Sequence, residues 1–309
     1  MTGALGAAPA LGSQTEGAKP RKEMTVRTLI AFFSITFVLG WGVAGLAIAF
    51  QEQAEGVFGE IGYTNPLFIF VVYSPAIAGV FLVGRHYGAA GLLQFIKRLT
   101  LWRMPAPWWA FLILGIPAIV YAGAALKGTF SDPFPFSPWY GLFPAVAIAL
   151  AIGPVEELGW RGVALPLLQR RFAPLWAGLI LGAFWGLWHA PAFLLSGTPQ
   201  SSWSFAPYVI GVLAVSVIVT PLFNSARGSI LVAALFHLQV NNPMWPDAQP
   251  WDTLVYVIAA VIVVLINRKT MLTRGAGATS VLMEDDGSRM RSGPKGRTPD
   301  DPVASRARP

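Results

Sequence analysis

The feature that most constrains this chain is the recurrence of long apolar runs. The first, TLIAFFSITFVLGWGVAGLAIA from Thr28, meets no acidic residue until Glu52. A helix needs about 20 such residues to cross the hydrocarbon core of a bilayer, and runs of this kind return along most of the sequence. Charged residues make up 12% of the chain against 54% hydrophobic, about half the charged share of a soluble domain. The expected fold is an all-α, polytopic membrane bundle. Apolar periodicity places its eight transmembrane helices at about 27–50, 66–84, 106–126, 139–169, 174–195, 206–224, 229–242 and 251–268. Between the second and third, GLLQFIKRLTLWR (Gly91 to Arg103) alternates apolar and basic positions as an interfacial helix does. No internal repeat is visible, which disfavours an inverted-repeat transporter.

The ends differ from this core. Residues 1–24 and 270–309 are rich in Ala, Gly, Ser, Pro and mixed charge, and read as disordered tails around a membrane-embedded domain at 25–269. The N-terminal stretch lacks an apolar segment ahead of its basic residues, so the first span reads as an uncleaved anchor. The connections alternate in charge. Arg27, Arg85, Lys97, Arg98, Arg103, Arg170, Arg171, Arg227, Arg268 and Lys269 flank one side of the spans, whereas Glu52, Glu55 and Glu60 occupy the first loop. Basic connections mark the cytoplasmic face, so both termini are expected there, in a cytoplasmic membrane. The net charge of +7 therefore belongs to the lipid bilayer as partner and does not call for nucleic acid. With no cysteine, disulfides, thiolate metal sites and cysteine nucleophiles are excluded.

Few ionisable groups remain at membrane depth: Glu156, Glu157 and Arg161 in EELGWRG on the fourth span, His189 on the fifth, and His237 on the seventh, with Asn241 one turn beyond. Such groups cost several kcal/mol if unpaired and by default mark a function. At 1.5 Å per residue Glu156 stands ~21 Å and His189 ~22 Å from the basic ends of their helices. His237 and Asn241 stand at ~15 and ~21 Å. Small residues share their faces: Ala149 and Gly153 with Glu156, the row Gly178, Gly182 and Gly186 with His189, and Ala233 with His237. Small rows let membrane helices approach closely, so the polar groups are expected to face one another.

Adjacent glutamates point about 100° apart on a helix. Glu157 and Arg161, at i and i+4, suit an ion pair, a structural role at the site. Glu156 has no basic residue in helical reach and is the candidate general base. His189 could hold the same water or relay a proton, and His237 and Asn241 could donate to an oxyanion. Together these describe amide hydrolysis. The same glutamate and histidines could instead hold a divalent metal such as zinc, with a position left for water. Spacing alone does not separate a metal-activated water from one activated by Glu156.

These residues resemble the CPBP family, the CAAX protease and bacteriocin-processing membrane proteins related to type II CAAX prenyl endopeptidases. Its EExxxR motif matches Glu156, Glu157 and Arg161. Its FxxxH motif matches WGLWH at His189, with Trp185 in place of phenylalanine, and its HxxxN motif matches HLQVN at His237 and Asn241. The resemblance spans roughly 139–245. It implies an eight-helix intramembrane endopeptidase with Glu156 as base and His189 as partner, His237 and Asn241 completing the site. Its substrate would be a peptide or lipidated peptide, prenylated or bacteriocin-like, and the expected site faces the cytoplasm. A non-catalytic immunity or scaffold protein of the same fold and a proton-coupled transporter are the alternatives.

Overall fold

The computed structural model describes residues 23–283. Among them every regular element is helical, apart from one isolated bridge between Gly62 and Gly197. Six helices are long and apolar enough to cross a membrane: α1 (Thr28–Ala49), α2 (Pro66–Thr100), α3 (Ala106–Lys127), α4 (Trp139–Gln169), α5 (Pro174–Leu194) and α6 (Phe205–Ser225). Two shorter apolar helices, α7 (Ile230–Val240) and α8 (Trp251–Ile266), complete a polytopic bundle. A helix stands at each of the eight expected positions, six of them long enough to cross a membrane and two shorter. Apolar side chains on the outer helices, such as Ile30, Val38, Leu265 and Ile266, are exposed, as lipid-facing residues must be when the backbone bonds itself within each helix.

The centre is α6, buried without interruption from Ala214 to Phe223. It packs on α5 through the expected glycine row. A Cβ on Gly178 would meet Thr220 Oγ1 at 2.7 Å, and one on Gly182 would meet Ser216 Cβ at 2.9 Å. Ser216 Oγ donates to the Gly178 carbonyl across the same seam (2.8 Å). Close backbone approach of this kind needs small residues.

Two helices are broken where the sequence suggested continuity or a separate element. Gly88 (φ 66°) kinks α2, and the chain after it stays helical to Ile96. The expected interfacial helix at 91–103 is therefore the end of α2, with Phe95 and Arg98 buried at 0% and 2% exposure. Arg98 is thus a core residue and not a loop cation. Its guanidinium donates to the carbonyls of Gly162 (2.7 Å), Gly228 (2.9 Å) and Val281 (2.9 Å). Gly162 has a carbonyl to offer because Pro166, four residues on, has no N–H to return.

The second break lies in α4. It is α-helical to Ala151, tightens to a 3₁₀ turn at Gly153–Glu156, and widens to a π turn at Trp160–Ala164. Pro154 and Pro166 have no N–H to donate along this stretch, and π turns inside helices favour functional sites.

The boundaries of the tails also move. Met24 is fully buried, and its carbonyl accepts from Arg170 Nη1 (2.6 Å). Residues 270–283 lie across the bundle, where Gln169 donates to the Ala278 carbonyl and Arg170 to that of Thr279 (both 2.9 Å). Composition missed this because polar side chains on the bundle hold that segment by its backbone. The rest of both expected tails lies outside the described residues.

Candidate active site

The opening turn of the EELGWRG stretch faces a cavity of about 710 Å³. Glu156, His189, His237 and Asn241 all line it, with Trp185 beside them, so the four expected residues, from three separate helices, meet at one cavity. The 3₁₀ turn carries Glu156 to the wall, where it is 4% exposed. Its Oε2 accepts from two indoles, Trp185 Nε1 (2.9 Å) and Trp160 Nε1 (3.1 Å). No hydrogen bond to Oε1 is found among the described residues.

Glu157 turns the other way and is 1% exposed. Arg161 Nη1 donates to its Oε1 at 2.9 Å, the expected i,i+4 pair. The guanidinium also lies 4.4 Å from the Trp185 ring centroid. One partner was not expected: His237 Nδ1 stands 2.7 Å from the same Oε1. Glu157 is therefore more than half of an ion pair. A carboxylate only accepts, so Nδ1 carries the hydrogen and Nε2 is the free nitrogen.

That nitrogen is on the cavity side. A Cβ on Gly153 would meet Asn241 Nδ2 at 2.8 Å and His237 Nε2 at 2.9 Å. Gly153 thus leaves room for a histidine and an amide to sit together beside Glu156. Asn241 closes α7, its N–H bonded to the His237 carbonyl (3.0 Å).

His189 shares the cavity, but no hydrogen bond joins it to Glu156 among the described residues. Its Nδ1 donates to the Trp185 carbonyl (2.8 Å), and its ring packs edge-on against Trp188 and Tyr208. Its free Nε2 is again the nitrogen available for chemistry. The two indoles on Glu156 are what the sequence reading missed. Trp160 lies four residues after Glu156 and Trp185 four before His189, so helical spacing from each site residue was the available signal.

Glu156, His189 and His237 are donor types that zinc accepts. Among the described residues, however, no three His, Asp or Glu side chains gather closely enough to hold an ion. His189 and His237 each commit Nδ1 to a protein acceptor. Nε2 of each stays free, as it does in zinc-ligating histidines, but as placed the three groups are not gathered into a ligand set, and no step is derived through a metal.

Comparison with known proteins agrees with the motifs. A family model described as type II CAAX prenyl endopeptidase Rce1-like matches residues 137–242, which contain every candidate site residue. The CAAX prenyl protease 2 of Methanococcus maripaludis is 25% identical over 264 residues, covering 78% of this chain and 93% of that protein.

Proposed function

We propose, from the premise that this chain belongs to the Rce1-like type II CAAX prenyl endopeptidase family, that it is an active intramembrane endopeptidase. Its reaction is hydrolysis of a peptide bond near the membrane, in a prenylated or bacteriocin-like peptide. The observation that carries the reading is the convergence of Glu156, His189, His237 and Asn241 on one cavity enclosed by membrane helices.

Glu156 is the general base. With Oε2 held by two indoles, the carboxylate is aimed and Oε1 is left to take a proton from water. The oxygen of that water bonds to the peptide carbonyl carbon, and the carbonyl π pair moves onto its oxygen. Asn241 Nδ2 and, when protonated, His237 Nε2 are the donors beside Gly153 that can meet this oxyanion. Glu157 and Arg161 fix the His237 ring through Nδ1. Collapse breaks the C–N bond, and the proton on Glu156 reaches the leaving nitrogen directly or through His189. Enclosure by helices excludes bulk water from these steps.

Glu156→Gln keeps size and one oxygen acceptor but removes the base. Cleavage should fall by at least ~10² while the protein still extracts as a folded species. Undiminished cleavage would take Glu156 out of the mechanism. The 2.7 Å contact of Glu157 with His237 supports a second reading, in which His237 is the base and Glu157 orients it. Under that reading His237→Gln would abolish turnover while Glu156→Gln only slowed it.

A further inference from the structure

Glu156 and Glu157 stand on α4, and His237 and Asn241 belong to α7, so the site holds together only while those two helices keep one spacing. They come together at Gly162. A Cβ there would meet Phe95 Cζ of α2 at 2.8 Å and Cδ1 of Ile230, the first residue of α7, at 3.3 Å. The guanidinium of Arg98, one turn beyond Phe95, fills this junction at 2% exposure. Its Nη1 donates to the Gly162 carbonyl (2.7 Å) and its Nε to that of Gly228 (2.9 Å), just before α7. Nη2 reaches the Arg161 carbonyl at 3.5 Å. A little further on, the Leu101 carbonyl accepts from Ser229 Oγ, which in turn accepts from the Val232 N–H (3.0 Å) and caps α7.

No carboxylate pairs with Arg98 among the described residues. A buried cation without a counterion is tolerated only where carbonyls take its N–H groups, so these bonds are obligatory. The fork is planar and rigid. Carbonyls that share it are held at set distances from one another, which a lysine ammonium on its flexible stem would not impose. Two of those carbonyls anchor the helices that carry the site. Gly162 lies five residues after Glu157, and α7 runs ~12 Å from its Ser229 cap to His237. Both paths end in a single contact, His237 Nδ1 to Glu157 Oε1 at 2.7 Å. A hydrogen bond of that length absorbs roughly 0.5 Å of displacement before it weakens.

We infer that Arg98, outside the residues 137–242 that match the family, is a positioning residue. It sets the spacing of α4 and α7, and through that spacing the Glu157–His237 contact that orients the His237 ring. What the ring then does to a peptide rests on the protease reading; the spacing does not. Residues 277–283 complete the junction from a third side. The Val281 carbonyl accepts from the same Nη1 (2.9 Å), and the Met283 N–H donates to the Gln94 carbonyl (3.3 Å), one turn before Arg98. Asn224 Oδ1 accepts from the Ala278 N–H (3.0 Å), and Gln169 Nε2 donates to the Ala278 carbonyl (2.9 Å). A Cβ on Gly277 would collide with Gln169 Oε1, so the segment seats only with glycine there. None of its residues lines the cavity. It acts on the site through Arg98.

The chain has three histidines, so imidazole nitrogen NMR of the protein in detergent reads His237 by itself, with His86→Gln and His189→Gln assigning the other two. The wild type should show a hydrogen-bonded Nδ1–H on His237, and its absence would remove the contact on which the inference stands. Arg98→Lys keeps the charge and loses the fork. It should shift or broaden the His237 signal while those of His86 and His189 hold. Gly277→Val, which unseats the C-terminal segment and leaves Arg98 in place, should move the same signal by less. In cleavage assays Arg98→Lys should lower kcat by roughly ten- to 10²-fold with KM little changed. An unmoved His237 signal in folded Arg98→Lys protein would overturn the inference, as would equal shifts in all three histidines, which mark a general loosening. Should Arg98→Lys not fold, Gly277→Val decides by the same criterion. The spectra need no turnover, so a protein inert towards every peptide would refute the protease and leave the positioning role decided.

Discussion

Trp185 stands where the family motif carries phenylalanine, and the exchange adds an N–H that the structure uses. The indole donates to Glu156 Oε2, lies under the Arg161 guanidinium, and meets the His237 ring edge-on at 5.3 Å. Trp185→Phe keeps the ring and removes only the donor. A hydrogen bond to a charged group is worth ~1.5–3 kcal/mol, and Trp160 retains part of the hold on Glu156. We expect kcat to fall about tenfold with KM little changed, and steady-state kinetics checks it. An unchanged kcat would mean that the indole packs without aiming the base. The neighbouring carboxylate predicts a different outcome. Glu157→Ala strands the Arg161 charge, so thermal unfolding in detergent should show a loss of about 3–5 kcal/mol. Arg161→Ala should cost less, because His237 Nδ1 still donates to Glu157 at 2.7 Å. A Glu157→Gln, Arg161→Gln double variant should recover part of the loss, since it strands no charge. If Arg161→Ala is the more damaging of the two, His237 does not share the load.

At the scale of elements, the seam between α5 and α6 and the two turns of α4 position the site. A Cβ on Gly182 would meet Leu213 Cα at 3.1 Å as well as Ser216 Cβ, and backbone cannot step aside cheaply. Gly182→Leu should therefore force α5 from α6, lowering stability by about 1–3 kcal/mol and shifting His189 with it. Gly42 on α1 has nothing within 4 Å of its built Cβ. Gly42→Leu should leave unfolding temperature and cleavage unchanged, which separates a packing effect from a general effect of adding apolar bulk. Equal damage from both substitutions would remove the seam from the account. The turns of α4 act differently. The 3₁₀ turn at Gly153–Glu156 alters the uniform 100° step per residue ahead of the motif, and Glu156 faces the cavity while Glu157 faces Arg161 and His237.

Taken as a whole, the molecule is a bundle tied at its basic end by Arg98, Arg170 and the segment 270–283. Catalysis by side chains alone predicts that prolonged chelation leaves cleavage intact and that the purified protein lacks stoichiometric zinc, read by elemental analysis. Activity lost on chelation and restored by added zinc would show that Glu156, His189 and His237 close around an ion, the histidines through their free Nε2.

Hydropathy and helical spacing are local properties, and what depends on them was legible in the sequence: eight apolar helices, the glycine seam of α5, the Glu157–Arg161 pair, and the shared depth of Glu156, His189 and Asn241. What depends on several helices meeting was not. His237 reaches Glu157 across 80 residues of chain, and Glu156 borrows a donor from α5. Arg98 reads as a loop cation until the carbonyls of Gly162, Gly228 and Val281 are brought around it. Residues 270–283 read as a tail for the same reason, since the side chains that bind their backbone lie on other helices. Each of these contacts satisfies a buried polar group, and only the tertiary structure decides which partner, distant in sequence, comes near enough to do so.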